Sequence, residues 1–157
     1  MSISEKDLFD ARTAWGNGLI EISETFENEG IEIATTIASD MIDDLYGFNF
    51  GKVLFKPTLS GGSQTFRTTK EGALSYFVGH NPAYPNDSGF GIKFWREINS
   101  DTAATFIDDT VAMWMGWVTF IDKYGQVTKV DKSWGYKLDD VGNLRITLHH
   151  SSLPYEL

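Results

Sequence analysis

The chain contains no cysteine. That removes thiol nucleophiles, thiolate-ligated zinc and redox motifs together, and leaves hydroxyls, imidazoles and carboxylates to carry any chemistry. Positive charge is also scarce: 13 Lys and Arg against 22 Asp and Glu give a formal charge of −9, a field that repels nucleic acid and anionic lipid. No apolar run reaches the ~18 residues of a membrane span. The opening Met-Ser-Ile-Ser-Glu-Lys-Asp has neither the basic start nor the apolar stretch of a secretory signal. The sequence therefore predicts a soluble protein with no nucleic-acid or membrane partner. Its compartment stays open, plastid and periplasm included if the chain is cut from a longer precursor. Phosphate loops, dinucleotide fingerprints and EF-hand spacings are missing too, so no cofactor is expected.

What the chain does have is apolar and aromatic bulk. Of its 157 residues 41% are hydrophobic, with 11 Phe, 5 Trp and 6 Tyr, enough for a packed core without staples. With no repeat, low-complexity run or long linker, residues 1–157 read as a single domain. Leu8, Ala11, Trp15, Leu19, Ile22 and Phe26 recur at helical spacing behind a capping-box pair, Ser2 and Glu5. Gly16 and Gly18 inside this helix point to close packing. A second stripe, Ile33, Ala34, Ile37, Ala38, Met41 and Leu45, ends before Gly47.

From Lys52 the period changes to two. Val53 and Phe55 alternate with Lys52, Leu54 and Lys56 in a short strand that Pro57 places at an edge or an end. Thr68 and Glu71 cap a third helix that carries Ala73, Leu74, Tyr76 and Phe77 and stops near Gly79. After the turn-rich stretch 81–89 the pattern is strand after strand, near 92–98, 102–107, 110–121, 126–138 and 144–152, joined by short turns suited to an antiparallel meander. Helices first and sheet last is an α+β order. Such a sheet curls around its helices and leaves a pocket between the two layers.

Chemistry concentrates at the end of the chain, in Leu148-His149-His150-Ser151-Ser152-Leu153-Pro154. Strand alternation sends Thr147, His149 and Ser151 to one face and Leu148, His150 and Ser152 to the other. The adjacent histidines then cannot share a metal, and a three-histidine zinc site with His80 would need separate segments to converge. A serine beside a histidine suggests a nucleophile and base, but no orienting carboxylate and no Gly-x-Ser-x-Gly elbow accompany them. The plain alternative is an imidazole satisfying a neighbour's hydrogen bond. Asp43-Asp44, Asp108-Asp109 and Asp139-Asp140 sit where adjacent carboxylates are solvated. Met113, Trp114, Met115 and Trp117 read as core or subunit interface.

Ala14-Trp15-Gly16, Leu54-Phe55-Lys56-Pro57-Thr58, Ala73-Leu74-Ser75-Tyr76-Phe77 and the closing His149-His150-Ser151-Ser152-Leu153-Pro154 resemble the iota class of carbonic anhydrases. That class is similar to the association domain of calcium/calmodulin-dependent protein kinase II, within the nuclear transport factor two-like superfamily. The resemblance spans essentially the whole chain, and the closing motif is its most specific part. It implies a cone-shaped α+β fold with N-terminal helices on a curved antiparallel sheet, a homodimer through that sheet, and reversible hydration of carbon dioxide to bicarbonate. It also implies that Thr58, Tyr76 and Ser151 bind bicarbonate; His149, on the face of Ser151, is by its own chemistry the expected acceptor of the proton that water releases, directly or through Ser151. Metal ligands are scarce here, so activation is expected from hydrogen bonds without a metal. Three other readings compete: a non-catalytic association module that dimerises and binds a ligand; an isomerase or cyclase, which would need a pocket carboxylate that the sequence does not reveal; and a metal-dependent variant of the anhydrase.

Overall fold

The computed structural model describes residues 1–157. Two long helices, α1 (Glu5–Glu29) and α2 (Ile31–Leu45), precede β1 (Leu54–Lys56), α3 (Lys70–Val78), β2 (Trp95–Asp108), β3 (Val111–Asp122), β4 (Val127–Leu138) and β5 (Leu144–Ser152). The strands form one five-stranded sheet in the order β1-β5-β4-β3-β2.

Helix α1 starts at a capping box, two residues later than the expected one. Ser4 Oγ accepts the Asp7 N–H and the Asp7 carboxylate accepts the Ser4 N–H. Ile3 is already committed elsewhere: its side chain is buried and its N–H donates to Asp109 O. The chain therefore cannot turn helical at Ser2. Thr69 caps α3 by accepting from the Gly72 N–H, one residue past the expected Thr68. Gly79, at φ 64°, ends that helix in a left-handed conformation that costs a glycine little.

The glycines of α1 serve packing, as expected. A methyl at Gly16 would stand 3.3 Å from Ile98 Cβ on β2, and one at Gly18 would stand 2.5 Å from Met41 Sδ on α2. Leu8, Trp15, Leu19 and Ile22 are buried along the same stripe. Trp15 anchors the helix to the sheet, its ring 5.2 Å from Trp134 and 5.9 Å from Phe120 between centroids, within range for edge-to-face aromatic attraction.

The sheet departs from the expected all-antiparallel meander at β1. This strand pairs in parallel with β5, Phe55 opposite His149, because the chain runs through α3 and the whole meander before returning beside it. A parallel pair needs such a long crossover. Its edge position matches the reading from Pro57. The two strands expected over 92–98 and 102–107 are one strand, β2, continuous from Trp95 to Asp108 and interrupted only by register shifts at Trp95/Glu97 and Thr102/Ala104. Residues Phe90–Ile92 form a 3-10 turn instead of a strand start.

Alternation on β3 divides the Met- and Trp-rich segment. Ala112, Trp114, Val118 and Phe120 face the core, while Met113, Met115 and Trp117 face outward. On β5 the expected alternation fails at one place. Gly135 pairs with Leu148 but Tyr136 pairs with Ile146, so Thr147 is the extra residue of a bulge. Ile146 therefore joins His149 and Ser151 among the buried residues, in place of Thr147.

Candidate active site

Where β5, β4, β1 and α3 meet, four segments send polar side chains into an otherwise aromatic interior. Ser151 and His149 come from β5 and are 0% and 1% exposed. Their register follows from the strand: two residues apart, they share the inner face, while His150 between them is exposed. Thr58 leaves the end of β1 just after Pro57, and Tyr76 comes from α3. A tight cleft is lined by Pro57, Thr58, Tyr76, Lys132 and His149, with Trp15, Phe55, Phe77 and Phe90 as its apolar walls.

All four residues singled out in the sequence meet here. Thr58 Oγ1 lies 2.5 Å from Ser151 Oγ, a hydroxyl pair in which either donates. Tyr76 Oη accepts the Leu59 N–H at 3.1 Å. Burial pushes the Tyr76 phenol up to about 12, against the lowering effect of its Leu59 and Thr58 contacts, so it stays protonated. Behind it Arg67 is buried in a bidentate pair with Asp87, both oxygens at 2.7 Å, and Ser75 donates to the same carboxylate. Arg67 also donates to the Gly72 carbonyl. That clamp ties the turn-rich loop to α3 and holds Tyr76 in place.

Two members of the site escaped the sequence reading. Lys132 on β4 stands directly opposite Ser151 in the antiparallel ladder. Its Nζ is 3.1 Å from Ser151 Oγ and 2.9 Å from His149 Nε2, with no carboxylate in contact. Burial pulls its amine down to about 7, with nearby Lys56 adding to the effect and Asp131 opposing it. The signal was present in the sequence: Val130, Lys132, Trp134 and Tyr136 alternate on β4, and all four are buried. A lysine in the middle of an inward-facing apolar row is a buried lysine.

The second is Tyr46, the residue that ends α2. Its Oη accepts from Trp15 Nε1–H at 3.0 Å and meets His149 Nδ1 at 2.8 Å. No local pattern marks it, since its partner is 103 residues away. Both ring nitrogens of His149 are thus engaged by protein, and its ring stacks on Phe55 at 4.6 Å. Burial, then the neighbouring Lys132 and His150, hold this imidazole well below the ordinary histidine range, so it is neutral.

The remaining candidates lie apart. His80 sits on the loop after α3 and contacts the Val78 carbonyl. No group of three or more His, Asp or Glu side chains is close enough to hold a metal ion; His149 is buried and His150 exposed. Asp43 pairs with Lys70 at the surface, and Asp139 caps the β4–β5 turn. No helix is long and apolar enough to cross a membrane.

Residues 6–153 match the family described as metal-independent carbonic anhydrase. A metal-independent carbonic anhydrase of a Nostoc species is 49% identical over 155 residues, which cover 99% of this chain and 76% of that protein. The crystal structure of an iota-carbonic anhydrase from a cyanobacterium, complexed with bicarbonate, superposes with a TM-score of 0.98 at 49% identity, over 99% of this chain and 95% of that one. A Xanthomonas campestris protein described as a calcium/calmodulin-dependent protein kinase II association domain has a TM-score of 0.58 at 23% identity, over 96% and 85% of the two chains. This last likeness carries the fold alone.

Proposed function

The chain belongs to the metal-independent carbonic anhydrase family, whose reaction is the reversible hydration of carbon dioxide to bicarbonate, and we propose that it performs this reaction in the cleft of Thr58, Tyr76, Ser151, His149 and Lys132. The observation that carries the assignment is the convergence of Thr58 Oγ1 and Ser151 Oγ at 2.5 Å with a free-amine candidate, Lys132 Nζ, 3.1 Å behind the serine.

Each part has a task. Apolar walls admit an uncharged, linear molecule and keep bulk water out. The Thr58, Tyr76 and Ser151 hydroxyls donate to, or accept from, the three oxygens of bicarbonate. As a water oxygen attacks the carbon, its proton passes through Ser151 Oγ to the imidazole–amine pair. Lys132, at about 7, suits that role near neutral pH. His149, neutral and held on both sides, orients Lys132 and receives no substrate directly. The sum is water, carbon dioxide and amine giving bicarbonate and ammonium, and the ammonium then returns its proton to solvent.

General-base help of ~10²- to 10⁴-fold and oxyanion donors worth ~10²- to 10³-fold each are enough for useful catalysis. They predict a slower enzyme than a zinc hydroxide, which in carbonic anhydrase turns over at ~10⁶ s⁻¹. No carboxylate lines the cleft, and the buried Asp87 behind Tyr76 is held by Arg67 and Ser75, which leaves the isomerase reading without a free base.

Residues 1–157 act as one unit in this reading, and two copies pair through the outer face of the sheet. Phe106, Val111, Met113, Met115 and Trp117 are all exposed there, a clustered apolar surface of the kind that marks subunit contacts. Association is then an accompaniment to catalysis. Stopped-flow hydration assays with and without chelator test the proposal. Activity that survives the chelator and falls in Ser151→Ala supports it, and a folded wild-type protein with no hydration activity overturns it.

A further inference from the structure

Lys132 is buried to 3% exposure, and its amine has two polar contacts, His149 Nε2 and Ser151 Oγ, beside the ring faces of Trp15, Trp134 and Phe120 at 4.8, 5.5 and 5.8 Å. The direction of the surrounding hydrogen bonds sets its protonation state. Trp15 Nε1–H is a donor only, so Tyr46 Oη accepts from it. The Tyr46 hydroxyl hydrogen then has one protein acceptor within reach, His149 Nδ1. A neutral imidazole that accepts at Nδ1 carries its proton on Nε2. That Nε2–H points at Lys132 Nζ, which must answer with a lone pair. The buried interior favours the same uncharged form. The charged groups acting on it are Lys56, from β1, and Asp131, its neighbour on β4.

A free amine inside a carbon dioxide site is a nucleophile toward the substrate. We propose that Lys132 Nζ adds carbon dioxide reversibly to form a carbamate within the cleft, a covalent modification that competes with bicarbonate for the Thr58 and Ser151 hydroxyls. The inference rests on the reading of this cleft as the carbon dioxide site. The Nζ lone pair forms the new N–C bond, one C=O π pair moves onto oxygen, and an N–H proton passes to bicarbonate, which leaves as carbon dioxide and water. The product keeps one N–H and carries an anionic carboxyl group.

The surroundings suit that product. Ser151, Thr58 and the His149 Nε2–H are donors for carbamate oxygens. Lys56 Nζ, fixed 2.7 Å from the Ser151 carbonyl, supplies a nearby positive charge. Surface lysines lack these features. Lys6 and Lys123 pair with Asp10 and Glu27, which raise their amines further and keep them as ammonium without a lone pair. The modification therefore acts as a brake that tightens as dissolved carbon dioxide rises.

The wild-type protein provides the test. It is equilibrated with isotope-labelled carbon dioxide and bicarbonate near neutral pH and quenched with triethyloxonium, which ethylates carbamates, and its peptides are mapped by mass spectrometry. The expected result is a labelled ethoxycarbonyl group on Lys132 at an occupancy at least about tenfold above that of Lys6 or Lys123, given the difference in free-amine fraction. It disappears when carbon dioxide is purged before the quench, and in Lys132→Arg. An unmodified Lys132 in a preparation that hydrates carbon dioxide overturns the carbamate and leaves the proposed function standing. A modified Lys132 in a preparation without hydration activity supports the carbamate and overturns the proposed function.

Discussion

Tyr46 Oη lies 2.8 Å from His149 Nδ1, and this contact determines which nitrogen of the imidazole faces the reacting groups. The end of α2 thereby sets the tautomer of a residue on β5, and through it the lone pair of Lys132 on β4. Removing the hydroxyl tests that chain. In Tyr46→Phe, His149 Nδ1 loses its partner and the Nε2–H tautomer loses its advantage. Histidine nitrogen NMR is expected to show a single Nε2–H form in the wild type and a mixture in the variant. The hydration rate should fall about tenfold, or about 1.4 kcal/mol in barrier, and stability should drop by about 1–3 kcal/mol for the unpaired buried nitrogen.

Ser151 and Thr58 share one short contact, so each variant disturbs both hydroxyls. Ser151→Ala and Thr58→Val are expected to lower the stopped-flow hydration rate by ~10²- to 10³-fold, the usual cost of an oxyanion donor. Circular dichroism and thermal unfolding should change little. A rate near that of wild type in both variants would remove these hydroxyls from the mechanism.

The pH profile identifies the proton acceptor. Lys132 works only as a free amine, and burial brings its value to about 7, so the hydration rate should rise as pH is raised through that region. His149 is held well below the ordinary histidine range and contributes no limb there. Lys132→Gln should flatten the rise as well as lower the rate. A rise near pH 7 that persists in Lys132→Gln would assign the base elsewhere.

Stability should respond to pH in a defined direction. Lys132 has a folded value below its unfolded one near 10.5, so stability present at high pH is lost as pH falls toward about 7. His149, also depressed, causes further loss below about pH 6.5. Tyr46, Tyr76 and Tyr136 are raised by burial, so their contribution is full below pH ~10 and is lost above it. Urea unfolding should therefore show stability rising from about pH 5 to about pH 9 and falling beyond about pH 10. Lys132→Met should be more stable than wild type near neutrality by about 1–3 kcal/mol, because it removes a depressed buried amine at the loss of two hydrogen bonds. It should also be nearly inactive.

Met115 and Trp117 face away from the cleft, on the outer surface of β3. Met115→Glu combined with Trp117→Glu should convert a dimer to a monomer in sedimentation equilibrium while the wild-type hydration rate per chain is largely kept. A wild-type monomer at micromolar concentration would rule out pairing through this face.

Local patterns carried much of this molecule. The stripe from Leu8 to Ile22 placed α1, and alternation placed His149 and Ser151 on one face with His150 opposite. A 3.6- or 2-residue period is decided by neighbours in the chain, so a reader of the chain sees it. The cap positions missed by one or two residues because Ile3 was drawn into a contact with Asp109. Thr147 was misplaced because a bulge depends on the partner strand. Thr58 and Tyr76 were reached through a family resemblance and not through any spacing. Lys132 is legible in the row Val130, Lys132, Trp134 and Tyr136, because alternation alone places it on the inward face of β4.

From the amino-acid order alone came the α+β arrangement, the absence of thiol chemistry, and the sidedness of the final strand. The folded chain alone decided that β1 lies parallel to β5, that Tyr46 reaches His149, and that Lys132 is buried between an imidazole and a serine. The physical reason is range: periodicity and capping act over a few residues, whereas desolvation and hydrogen-bond direction depend on what distant segments bring into contact, and these set the protonation on which the chemistry depends.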